Sequence, residues 1–248
     1  MKGKVVLVGA GPGDPGLITV KGLMELRRAD VVVYDRLVAR ELLEEAPKGA
    51  ELVYAGKEPG RHHMTQEEIN ELLLDRALKG LHVVRLKGGD PLVFGRGEEE
   101  CLYLASRGVE CEVIPGVPSY IYASSRALAP LGSRLGSHSY TVTTGVLAGG
   151  RPNPALPELL KASDTLVLLM AAGRASEVLG TASRMLGPGA PGVVVYRGAM
   201  PGEKVYHGTV EELARLHARG EYGNPSVIIL GGAARVAGRM QAALHGTR

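Results

Sequence analysis

Short apolar runs alternating with helical patterns constrain this chain more than any other feature of its sequence. Residues 5–8, 31–34, 51–54, 82–86 and 112–114 are each brief, largely apolar and bounded by glycine, proline or charge, which marks them as strands. Parallel neighbours need a crossover, so strands that alternate with helices predict a mostly parallel sheet covered by helices. The spacing predicts one such helix over 65–79. There Thr65 and Glu68 form a capping-box pair, Ile69, Leu72, Leu73 and Ala77 share a face, and Gly80 stops the helix.

At Ile114-Pro115-Gly116-Val117-Pro118 two prolines and a glycine break the rhythm, and a small-residue helix is expected over 119–127. The expected division is therefore an N-terminal α/β domain over 1–115 and a C-terminal α/β domain over 116–248. Further strands are expected at 139–144, 165–170, 193–197, 204–207 and 226–230, with helices at 155–161, 176–185 and 211–219. Only residues 198–203 separate two of these strands, which suits a hairpin and makes the second sheet mixed. A net charge of +3 with dispersed basic residues argues against nucleic acid as a partner. No apolar stretch approaches the ~18 residues of a membrane span, and Met1-Lys2-Gly3-Lys4 runs straight into a strand pattern, so a cytoplasmic protein is expected. Cys101 and Cys111 form no CxxC pair and are expected as buried free thiols, with no metal site.

The carboxyl ends of the expected strands are where ligands gather in open α/β sheets. The first runs into Gly9-Ala10-Gly11-Pro12-Gly13-Asp14, the second into Asp35-Arg36, the third into Gly56-Lys57 and the fourth into Lys87-Gly88-Gly89-Asp90-Pro91. One such ending would be an ordinary turn, whereas four on one edge point to a site. Gly9 and Gly11 begin a GxGxxG pattern, but Asp14 stands where its third glycine would be, and Pro12 and Pro15 remove amide donors that a pyrophosphate would need.

Three stretches carry a more specific resemblance. Val8-Gly9-Ala10-Gly11-Pro12-Gly13-Asp14-Pro15-Gly16, Ala29-Asp30-Val31-Val32-Val33-Tyr34-Asp35-Arg36-Leu37-Val38 and Arg85-Leu86-Lys87-Gly88-Gly89-Asp90-Pro91-Leu92-Val93-Phe94-Gly95-Arg96-Gly97 are similar to segments of the tetrapyrrole methylase family. The resemblance implies two α/β domains with the active site in the cleft between them, a homodimer, and S-adenosylmethionine as cofactor with S-adenosylhomocysteine as product. It implies C-methylation of uroporphyrinogen III to precorrin-2 by two transfers, serving siroheme or cobalamin. It also implies that Pro12, Gly88, Gly89, Asp90, Val93, Pro118, Ser119, Met170 and Gly198 line the cofactor pocket. Asp35 corresponds to a proton acceptor and Lys57 to a proton donor.

The residue types suit that chemistry. A sulfonium cofactor has no phosphate, so glycines serve close backbone approach, while a carboxylate can accept from a ribose or amino group. A reduced pyrrole carbon that attacks the methyl group must afterwards lose a proton, which calls for a base. An acceptor with many carboxylates calls for guanidinium donors, and Arg36, Arg61, Arg96, Arg126 and Arg134 fall in or near expected loops. Adjacent His62 and His63 would point apart in extended chain, which disfavours zinc. The chain departs from the family pattern at Val117-Pro118, at Gly132-Ser133 and at Val146, where the family carries threonines and histidines. A methyltransferase for a later precorrin, or a non-catalytic paralogue that binds a tetrapyrrole or S-adenosylmethionine, therefore stands beside the first reading.

Overall fold

The computed structural model describes residues 2–56 and 64–245. The chain divides into two compact units, Met1–Pro118 and Ser119–Arg248. Each is built on a five-stranded sheet.

The first unit contains β1 (Lys4–Gly9), β2 (Val31–Tyr34), β3 (Glu51–Tyr54), β4 (Val83–Lys87) and β5 (Glu110–Ile114), with α1 (Val20–Leu26), α2 (Gln66–Leu78) and α3 (Gly97–Ala105) between them. All strand pairs are parallel, in the order β3-β2-β4-β1-β5. Strands covered on both faces need unbroken apolar runs, and β1 shows why. Val5 and Leu7 face Leu73 of α2 and Leu104 of α3, while Val6 and Val8 join Leu26 of α1 on the other side. All four β1 side chains are fully buried.

The helix expected over 65–79 forms as α2 with its capping box intact. The Thr65 hydroxyl accepts from the Glu68 N–H at 3.2 Å, and the Glu68 carboxylate accepts from the Thr65 N–H at 2.6 Å. Gly80, at φ +84°, then ends it in the left-handed region.

The cysteines differ from expectation. Cys101 and Cys111 form a disulfide, with 5.4 Å between their Cα atoms. The reason is supersecondary: α3 turns back over residues 106–109 into β5 and packs along it, so two thiols ten residues apart come within bonding reach.

The second unit contains α4 (Ser119–Arg126), β6 (Tyr140–Thr144), α5 (Leu156–Ala162), β7 (Thr165–Leu169), α6 (Ala175–Leu186), β8 (Pro191–Tyr196), β9 (Lys204–Thr209), α7 (Val210–Ala218), β10 (Ser226–Gly231) and α8 (Gly232–His245). Its sheet runs β6-β7-β10-β8-β9. Only the β6–β7 pair is parallel, and β8–β9 is the expected hairpin, so the sheet is mixed. Among the described residues no helix is long and apolar enough to cross a membrane.

Candidate active site

In the first sheet the chain leaves β1 toward the β3 edge and leaves β4 toward the β5 edge. The helices that follow lie on opposite faces, α1 with Leu26 on one and α3 with Leu104 on the other. Adjacent strands whose connections diverge in this way leave a crevice beyond their carboxyl ends. The loops that border it are glycine-rich. Beyond β1 and β4 the backbones stay paired, with the Gly11 N–H donating to the Gly89 carbonyl at 3.2 Å and the Gly89 N–H donating to the Gly11 carbonyl at 2.7 Å. Both glycines hold positive φ, +77° and +69°.

Close approach is also compulsory. A Cβ on Gly9 would sit 2.4 Å from the Gly116 nitrogen, and one on Gly116 would sit 2.3 Å from the Gly89 carbonyl oxygen. The ends of β1, β4 and β5 therefore meet backbone to backbone, which only glycine permits. Asp90 ties the same loops together: its Oδ2 accepts from the Gly116 N–H at 3.1 Å and its Oδ1 from the Leu92 N–H at 2.8 Å. Each oxygen keeps a lone pair for a further donor. Pro12 is buried in this edge, Val93 is half-buried, and a Cβ on Gly88 would come within 3.3 Å of the Leu37 side chain.

Asp35 follows β2 on the same edge and is held from inside the sheet. The Arg85 Nη2 donates to its Oδ1 at 2.5 Å. Arg85 and Lys87 both lie on β4 and are almost wholly buried, and both donate to Oε1 of Glu100 on α3, at 3.3 and 2.9 Å. Glu100 is fully buried. Burial works against the Arg85 charge, but the Asp35 and Glu100 carboxylates outweigh it and hold the guanidinium above its ordinary pKa. For Lys87 burial comes first, the Arg85 charge adds to it, and the ammonium is pushed below its usual value despite Glu100.

In the second unit, Met170 follows β7 and Gly198 follows β8, two strands that point the same way in their sheet. Their backbones are strained: Met170, Arg197 and Ala199 hold φ of +53°, +51° and +61°. Non-glycine residues in that region cost about 1 kcal/mol each and collect at functional loops. Met170 is half exposed at this edge. A Cβ on Gly198 would press on the Tyr122 ring at 3.2 Å. Glu203 closes the β8–β9 turn by accepting from the Tyr122 hydroxyl at 2.7 Å, from the Ala199 N–H at 2.8 Å and from Arg126. Ser119 is exposed at the start of α4.

The structure thus brings Pro12, Asp35, Gly88, Gly89, Asp90, Val93 and Pro118 to one unit, most of them on one sheet edge, and sets Ser119, Met170 and Gly198 in the other. Lys57, Arg61, His62 and His63 lie outside the described residues. Of the remaining arginines, Arg96 makes a two-pronged pair with Glu99, Arg126 pairs with Glu203, and Arg36 and Arg134 are exposed. Sequence reasoning missed the Arg85–Glu100 network. The signal was present: a cation inside Val83-Val84-Arg85-Leu86 needs a buried partner, because a buried charge is paired.

A parallel sheet with a glycine cradle at its crevice and a salt-bridged carboxylate beside it defines an α/β protein built to hold a small organic ligand without gripping phosphate. The chain belongs to the tetrapyrrole methylase family, whose model, tetrapyrrole (corrin/porphyrin) methylases, matches residues 4–214. It is 42% identical over 235 residues to a uroporphyrinogen-III C-methyltransferase of Methanocaldococcus jannaschii, covering 93% of this chain and 96% of that protein. Several longer relatives are siroheme synthases, such as one from Aeromonas hydrophila of which the chain spans 51%. Among solved structures, a Thermus thermophilus uroporphyrin-III C-methyltransferase complexed with S-adenosylhomocysteine superposes with a TM-score of 0.79 at 42% identity, over 94% of this chain and all of that one. A cobalt precorrin-4 methyltransferase of cobalamin biosynthesis superposes with a TM-score of 0.83 at 32% identity, over 93% of this chain and 95% of that one.

Proposed function

We propose that the chain transfers methyl groups from S-adenosylmethionine to two carbons of uroporphyrinogen III, forming precorrin-2. The observation that carries this reading is 42% identity over 93% of the chain to an enzyme of that name, together with a glycine cradle at the crevice where such a cofactor would lie. The cradle fits the cofactor: Gly9, Gly89 and Gly116 let the strand ends close backbone to backbone and bring Asp90 to the edge, an arrangement that suits the hydroxyl and amino groups of a sulfonium cofactor and asks for no phosphate site. In the first unit Pro12, Gly88, Gly89, Asp90, Val93 and Pro118 contact the cofactor, as do Ser119, Met170 and Gly198 of the second. Asp90 has one lone pair left on each oxygen for a cofactor hydroxyl or amine.

When bound, S-adenosylmethionine supplies an electrophilic methyl group on a positively charged sulfur. After an electron-rich pyrrole carbon takes that methyl, the ring carries positive charge and must shed a proton. Asp35 takes it: Arg85 occupies its Oδ1, while its Oδ2 accepts no hydrogen bond among the described residues. Lys57 donates a proton or pairs with a substrate carboxylate. Arg36 and Arg134, exposed and without an ion pair among the described residues, bind acceptor carboxylates. The working form is a cytoplasmic homodimer, a state that light scattering reads directly; in that reducing compartment the Cys101–Cys111 disulfide is the group whose oxidation state reports location.

Incubation with labelled S-adenosylmethionine and uroporphyrinogen III tests the reading. Product in excess over protein and a mass gain of two methyl groups are expected. The likeness to a cobalt precorrin-4 methyltransferase favours a later precorrin as the second candidate, which would show as turnover on that substrate and none on uroporphyrinogen III.

A further inference from the structure

We propose that Arg85 is a positioning residue for Asp35, and that Glu100 anchors Arg85 for that task; the inference rests on the function proposed above. The middle of β4 is a place for an apolar side chain, since Val83, Val84 and Leu86 around it are fully buried. A guanidinium there gives up its hydration, so an arginine at this position must make contacts that an aliphatic chain could not. Its fork makes them. Nε donates to Glu100 at 3.3 Å, Nη1 to the Val33 carbonyl at 3.3 Å, and Nη2 to Asp35 Oδ1 at 2.5 Å. A rigid planar group anchored on α3 and β2 thus ends on one oxygen of the carboxylate that follows β2.

Glu100 is arranged as an anchor and not as a general stabiliser of the fold. One of its oxygens, Oε1, receives Arg85, Lys87 and the Gln66 amide, the last at 3.2 Å. The other, Oε2, is buried with no hydrogen-bond partner among the described residues. A network selected for stability alone would satisfy both oxygens. Two carboxylates and two cations make the cluster neutral, and of these four charged groups Asp35 alone has substantial exposure, 31% against 4% or less for Arg85, Lys87 and Glu100. Holding Oδ1 fixes the rotation of that carboxylate, so Oδ2 meets the acceptor in a single orientation. A misplacement of about 1 Å at such a group costs on the order of a hundredfold in rate.

The test is a cycle of Arg85→Lys and Asp35→Asn, with Glu100→Gln as a second route. Lysine keeps a cation but loses the fork, and glutamine keeps the shape of the anchor. Turnover and KM for both substrates, affinity for S-adenosylhomocysteine and thermal unfolding are measured for each. We expect Arg85→Lys and Glu100→Gln to lower kcat about tenfold or more with KM and S-adenosylhomocysteine affinity within about twofold of wild type. In the Asp35→Asn background Arg85→Lys should lower the residual rate by less than about twofold, because a residue acting through Asp35 has nothing left to position. Equal losses in both backgrounds, full turnover in Arg85→Lys, or loss of fold in both single variants would overturn the proposal. An unaltered protein that turns over no uroporphyrinogen III would overturn the functional reading and this inference with it, whereas an active wild type with additive variants overturns the inference alone.

Discussion

Glu203 shows how one side chain can set a functional loop. Its carboxylate, 17% exposed, gathers the Tyr122 hydroxyl, the Ala199 N–H and the Arg126 guanidinium, and so fixes the turn that carries Gly198. Burial alone would raise its pKa, but those donors prevail and hold it below the ordinary glutamate value. A depressed carboxylate stabilises the fold in full above its unfolded value of 4.5, and that contribution disappears as pH falls from there through the lower folded value. Glu203→Gln should therefore cost about 1 to 2 kcal/mol at neutral pH, and urea unfolding across a pH series should show the gap to wild type closing below pH 4.5. A gap that stays constant into acid would assign the loss to packing. At this scale the sequence exposes residue types but not their partners. Asp90 was legible as a carboxylate in a glycine turn, whereas its bonds to Gly116 and Leu92 were not, since one of them spans 26 positions. Arg85 and Glu100 were missed for the same reason, their meeting being a product of α3 folding back over β4.

Elements were the most legible level, because strands and capped helices announce themselves locally. The valine runs gave β2 and β3 to the residue, and the Thr65–Glu68 pair gave the start of α2. Short helices were less visible: α1 and α3 span seven and nine residues, too few for apolar periodicity to stand out. The Cys101–Cys111 bond escaped notice because it depends on how α3 and β5 dock. Closing a loop of this length removes unfolded-state entropy worth about 2 to 3 kcal/mol. Cys101→Ala together with Cys111→Ala, or reduction of the wild type, should lower the unfolding free energy by about that amount, with the midpoint in urea as the measurement. An unchanged midpoint on full reduction would show that the docking of α3 on β5 needs no covalent tie.

At the scale of the whole molecule, the alternation of strands and helices made the α/β class readable, and the brief link over residues 198–203 made the second sheet mixed. The order β3-β2-β4-β1-β5 was not readable, because pairing partners such as Val5 and Val83 lie far apart along the chain and no local pattern selects them. That order nevertheless creates the crevice, by setting β1 beside β4 with their helices on opposite faces. A ligand held there binds only the folded chain, so it must stabilise the molecule by mass action. S-adenosylhomocysteine at one hundred times its Kd should raise the unfolding free energy by about 2.7 kcal/mol. Gly116→Ala drives a Cβ into the Gly89 carbonyl and should lose most of that gain, while Gly49→Ala, whose Cβ would meet nothing within 4 Å, should keep it. Thermal unfolding with and without ligand separates the lower intrinsic stability of the Gly116 variant from its response to ligand. If the ligand-induced shift were the same in Gly116→Ala as in wild type, the ligand would have to bind away from the place where the ends of β1, β4 and β5 converge.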